Sequence, residues 1–143
     1  MNREYKKIEI VCKTPKELSV DEFSRFFYYL NNIYKILIFD EGKYLRFLYL
    51  KKVPEEQRLR ISIINKSNPL QFELLIPLSI SSINIFLGII KLIKDSYTSK
   101  EIISKLEKIT EQNKTLIKEV RKLSKLKEIK IVEVNEDKNE NKT

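Results

Sequence analysis

From Ile102 to Leu123 apolar residues recur at alternating four- and three-residue steps: Ile102, Leu106, Ile109, Leu116, Val120 and Leu123, with Asn113 standing inside the series. A stretch with that period is a helix with one greasy edge, and something must cover the edge. Written as heptads, Ile102, Ile109, Leu116 and Leu123 take position d, and Leu106, Asn113 and Val120 take position a. A lone asparagine at a is satisfied by its copy on a facing helix, so the pattern predicts a self-associating seam. Ile103 and Ile117 at e widen the stripe, which also suits a helix packed on a globular body or in a larger bundle. The flanking positions specify no partner, since Lys105 would meet Thr110 and Glu119 would meet Ser124.

Upstream, the local patterns predict an α+β fold. Residues 6–12 alternate apolar and polar as a first strand, broken by Thr14-Pro15. Ser19-Val20-Asp21-Glu22 is a capping box for a helix whose apolar face carries Phe23, Phe26, Phe27, Leu30, Ile33, Tyr34 and Leu37. After a turn at Asp40-Glu41-Gly42-Lys43, the aromatic-rich run Tyr44 to Leu50 reads as a strand, closed by Pro54-Glu55-Glu56. Leu59, Ile61 and Ile63 then alternate on one face of a strand, and Leu70, Phe72 and Leu74 on one face of the next. With Asn65-Lys66-Ser67-Asn68-Pro69 between them, the two runs predict an antiparallel hairpin.

Past Pro77, the serines at 79, 81 and 82 offer caps to a helix from Ile83 to Ile93 that is apolar on almost every side. Thr98-Ser99-Lys100-Glu101 resembles another capping box, opening the heptad helix. Glu128 to Val134 alternates in part, as a short strand or a frayed helix end, and 135–143 reads as a polar disordered tail. The predicted order is β-α-β-β-β-α-α: a mostly antiparallel sheet with helices on one face and a projecting C-terminal helix. Three regions are expected: an α+β domain over 1–97, the amphipathic helix over 98–127, and the strand or frayed end with its tail over 128–143.

Composition narrows the function classes. Apolar residues make up 42% of 143, enough for one core. The chain has no histidine and one cysteine, so paired-thiol and His-based metal or nucleophilic sites have no candidates. Cys12 falls on the face of Ile8 and Ile10 and reads as a small buried hydrophobe. Gly42 and Gly88 are isolated, so there is no phosphate-cradling loop. Among acids only Glu9 and Glu73 lie on strands, and neither has a visible partner. The expectation is a protein that is not an enzyme and needs no cofactor or metal. The charged N-terminus does not read as a signal peptide, and the lone cysteine fits a cytoplasmic setting.

Two further readings concern partners. Leu74 to Ile90 carries no charge, but as a helix it would reach about 25 Å, short of the ~30 Å of a hydrocarbon core. A buried or interface helix over 74–93 is therefore read ahead of a membrane anchor. The net charge is +8, and between 114 and 130 the cations are opposed only by Glu119 and Glu128. Lys114, Lys118, Arg121, Lys122 and Lys125 lie three and four apart on one helix face, a stripe able to follow nucleic-acid phosphates. Stacking aromatics are absent from that stretch. Tyr28, Tyr29, Tyr34, Tyr44 and Tyr49 sit in the first helix and the following strand, where core or rim packing accounts for them. A solvated lysine face is the plainer reading.

The segment Ile63-Ile64-Asn65-Lys66-Ser67-Asn68-Pro69-Leu70-Gln71-Phe72-Glu73-Leu74-Leu75-Ile76-Pro77-Leu78 resembles a feature of small bacterial proteins without an established activity. In them a strand turns through Ser-Pro-Leu into a second strand and an apolar helix, followed by a charged helical tail. The likeness covers 6–125 by layout and the turn alone by residues, with Asn68 inserted between Ser67 and Pro69. It implies the layout, and an accessory role in a mobile-element or defence-type locus. The expected function is a self-associating binding or scaffolding subunit; the alternatives are nucleic-acid binding by the basic helix face and membrane anchoring through 74–93.

Overall fold

Alternation along the first strand, β1 (Tyr5–Lys13), sends Ile8, Ile10 and Cys12 to one side, where all three are fully buried. The structure is a computed structural model that describes residues 4–39, 52–66, 68–95, 99–110, 114–126 and 128–136; the side chains at 99, 107–110 and 114 are not among those described. The expected strand over Tyr44–Leu50, the preceding turn, Asn113, and the side chains of Ile109 and Lys114 lie outside the described residues.

The predicted hairpin forms as β2 (Arg60–Asn65) and β3 (Leu70–Pro77), antiparallel, with Ile61 opposite Leu74 and Ile63 opposite Phe72. Its turn is tied back to the sheet: the Thr14 amide donates to the Asn68 side-chain oxygen at 3.3 Å, and the Asn65 side chain donates to the Pro69 carbonyl at 3.0 Å. β3 pairs antiparallel with β1, placing Ile10 opposite Phe72 and Ile8 opposite Leu74. On the far side of β1 lies β4 (Lys130–Glu136), also antiparallel, with a register shift between Val11 and Cys12. The sheet order is β2-β3-β1-β4. The partial alternation at 128–134 is thus a strand, which extends through Asn135 and Glu136.

Helix α1 (Val20–Ile38) begins where the Ser19 hydroxyl accepts from the Glu22 amide at 3.1 Å, as the capping box predicts. Phe26, Leu30, Ile33, Tyr34 and Leu37 are buried, and Phe23 and Phe27 pack partly buried against the same core. Phe26 and Phe27 meet Phe72 edge-on, with ring centroids 6.0 and 4.9 Å away, so α1 covers the face of Ile8, Ile10 and Phe72. Tyr34 packs on Phe86 of α2 (Ile83–Asp95), and its hydroxyl donates to the Gln57 carbonyl in a single 3-10 turn, Glu55–Gln57. α2 buries Ile83, Phe86, Leu87, Ile89 and Ile90 but leaves Ile85 exposed, so its covering is incomplete.

The single rod expected over 98–127 is two helices, α3 (Ser99–Thr110) and α4 (Lys114–Ser124). Both dock on the body: α3 packs against α2 and α4, and α4 lies along α1. Neither projects. Ile102, Leu106, Leu116, Val120 and Leu123 belong to the same core as the sheet, and Leu106, Leu116 and Val120 are fully buried. Ile36 and Asn32 of α1, outside its expected apolar face, are also buried.

Candidate nucleic-acid interface

Three turns of α4 sort its residues by angle. At 3.6 residues per turn, Leu116, Val120 and Leu123 share the inward arc, which leaves Lys118, Arg121 and Lys125 on the opposite side. Those three are exposed, and among the described residues no ion pair holds them. Of the residues in the stripe expected from the sequence, Lys118, Arg121 and Lys125 are exposed, and the side chain of Lys114 is not among those described. Lys122 departs from the stripe, being rotated toward α1. Its ammonium lies 3.6 Å from Oε1 of Glu119, one turn earlier, and 5.8 Å from the ring centroid of Tyr29 on α1.

Each of these contacts has a cause in the packing. Glu119 sits on the flank of α4 that faces α1, where its side chain is only 10% exposed. Its Oε1 faces Lys122, while its Oε2 is buried without a hydrogen-bond partner. A cation beside the Tyr29 ring meets the negative face of the π-system, a contact suited to a half-buried aromatic at a helix junction. Tyr28 follows, its ring centroid 5.7 Å from that of Tyr29 and tilted by 59°. Unlike Tyr29, which packs partly into the core, Tyr28 is 52% exposed. Arg25, one turn earlier and exposed, completes the α1 side; its Nε donates to the Asp21 carbonyl at 3.4 Å.

The fold thus brings Tyr29 beside Lys122, a cation of a helix some ninety positions later in the chain, with Tyr28 against Tyr29 on α1. Sequence reasoning assigned both tyrosines to core or rim packing. Tyr29 packs partly into the core, and Tyr28, half exposed against Tyr29, stands at the rim. The available signal was angular: position 28 lies off the arc of Phe26, Leu30, Ile33 and Leu37. Which helix would lie beside it could not be read locally.

Other sequence candidates come out differently. The expected seam residues Ile102, Leu106, Leu116, Val120 and Leu123 are covered by their own chain. Glu9 and Glu73 stand directly opposite each other on neighbouring strands, and Asn135 donates to Oε1 of Glu9 at 3.4 Å. Among the described residues no three His, Cys, Asp or Glu side chains are grouped to hold a metal ion. Cys12 is fully buried, and burial pushes its thiol up to about 12, far from a reactive thiolate. The uncharged run at 74–90 divides between β3 and α2, and no helix of the described residues is long and apolar enough to cross a membrane. The chain matches no family model, no curated protein and no solved structure.

Proposed function

We propose that this protein binds nucleic acid through the surface shared by α4 and α1. The observation that carries the reading is the position of Lys118, Arg121 and Lys125, which stand outward in a row and, among the described residues, are in no ion pair. The one acid on the described part of α4, Glu119, is turned inward and engaged by Lys122. A net charge of +8 adds a long-range attraction for polyanions. Ile102, Leu106, Leu116, Val120 and Leu123 are buried within one molecule, which favours this reading over a self-associating subunit.

Three or four phosphates neutralised on a single strand give a slope of log affinity against log salt of about −2 to −3. The test is a titration of labelled single-stranded and duplex oligonucleotides at two salt concentrations. Replacing Lys118, Arg121 and Lys125 together by alanine is expected to lower affinity for every sequence and to flatten the slope by about 2. Undetectable binding of the native chain at low salt overturns the proposal.

A further inference from the structure

Lys118, Arg121 and Lys125 would serve any polyanion, but an exposed ring on α1, the helix that packs along α4, would not. Tyr28 shows half its surface to solvent, yet it is not loosely placed. Its ring leans on Tyr29 at a centroid distance of 5.7 Å. Tyr29 is in turn fixed between the core and the Lys122 ammonium. The exposed ring thus already rests on a neighbour before any ligand arrives, which lowers the entropic cost of using it. An exposed aromatic on α1, joined through Tyr29 to Lys122 of the cation-bearing α4, matches a base on a sugar-phosphate chain: the ring takes the base and the cations take the backbone.

Resting on the nucleic-acid reading above, we infer that Tyr28 is a base-stacking platform and that the surface selects single-stranded over duplex nucleic acid. In a duplex the base faces are already covered by their neighbours, so the tyrosine has nothing to stack on. Only an unpaired strand can offer a base to Tyr28 and phosphates to α4 together. Duplex binding keeps the ionic contacts and loses the ring. RNA and DNA share this chemistry, and the surface as described distinguishes unpaired from paired strands, not one sugar from the other.

The experiment compares oligo-deoxythymidine, oligo-uridine and a blunt DNA duplex of equal length against the native chain, Tyr28→Ala and Tyr28→Phe. The native chain is expected to bind the two single strands more tightly than the duplex. Tyr28→Ala should lose about tenfold on the single strands, with duplex affinity and salt slope unchanged. Tyr28→Phe should retain the single-strand affinity, because the ring and not the hydroxyl does the stacking. The chain has no tryptophan, so its intrinsic emission is tyrosine emission. Single strands should quench it in the native chain and quench it less in Tyr28→Phe, a readout independent of any effect of alanine on folding. Equal single-strand affinity in all three proteins, with quenching unchanged in Tyr28→Phe, overturns the stacking role. The nucleic-acid reading survives that result if the Lys118, Arg121 and Lys125 variant still loses binding. Failure of every oligonucleotide to bind at low salt overturns both.

Discussion

Three buried polar groups set the chemistry available at the level of single side chains. Cys12 and Tyr34 are both pushed up to about 12 by burial, from ordinary values of 9.0 and 10.0. A raised value means that the folded chain holds the proton more tightly than the unfolded chain does. The resulting stability is complete below about pH 9 and is lost as pH rises toward 12. Urea midpoints are therefore expected to fall over that alkaline window, and Cys12→Val should reduce the fall while costing under about 1.5 kcal/mol at neutral pH. Tyr34→Phe should also reduce it, at about 1 kcal/mol for the hydrogen bond to Gln57. The third group is Glu119, whose Oε2 is buried without a partner while Oε1 faces Lys122. Here the two single substitutions should be unequal. Lys122→Met strands a buried carboxylate and is expected to cost about 1–2 kcal/mol, whereas Glu119→Met replaces it with apolar volume and should be neutral or stabilising. Denaturant unfolding of both variants decides it, and equal losses would show that Glu119 contributes through more than this pair. The buried position of Cys12 was legible in its alternation with Ile8 and Ile10. The pairing of Lys122 with Tyr29 was not, because it joins two helices that no local pattern relates.

The helices show how one period can serve two destinations. Alternating four- and three-residue steps identified Ile102, Leu106, Leu116, Val120 and Leu123 as one apolar edge, and each of them is buried. Over so few turns the 3.5 repeat of a coiled coil and the 3.6 repeat of a docked helix differ by about 20° per heptad, too little to separate a seam between copies from a face on one core. The extra apolar residues at e, Ile103 and Ile117, were the signal for the docked solution. Leu116→Ala tests the destination. With Leu116 fully buried between α4 and the body, truncation should cost about 2–4 kcal/mol. The unfolding midpoint of the native chain should also be independent of protein concentration, because the edge is covered within one molecule. A midpoint that climbs with concentration, and climbs less in Leu116→Ala, would place that edge between copies instead. The basic stripe was readable on the same grounds as the apolar edge, since both follow from angle along one helix.

At the scale of the whole chain the limiting information is which strands become neighbours. The β2–β3 hairpin was legible because its strands are adjacent and its turn residues are distinctive. The pairing of β1 with β4 was not, since nothing local links Ile10 to Val134 across the length of the chain. That pairing closes the architecture: the last strand lies on the first, shields the β1 edge, and brings Ile129 and Ile131 into the core at 4% and 3% exposure. Lys91 of α2 adds an ion pair to Glu136 at 3.3 Å, but both side chains are partly exposed and the contact contributes little. The two isoleucines matter more. At about 1.5–3 kcal/mol for each buried side chain, their loss takes about 3–6 kcal/mol from a domain whose whole stability is of order 5–15. A chain ending at Glu128 would lose that burial and also bare the amides and carbonyls of β1 along one side, a template for pairing with other molecules. Such a chain is expected to aggregate or to melt well below the intact protein. One ending at Glu136 keeps the β1–β4 ladder from Ile8 to Lys13 and should melt with the full chain. A soluble 1–128 chain with an unchanged melting point would mean that β4 adds nothing to the fold, and that the sheet is complete with three strands.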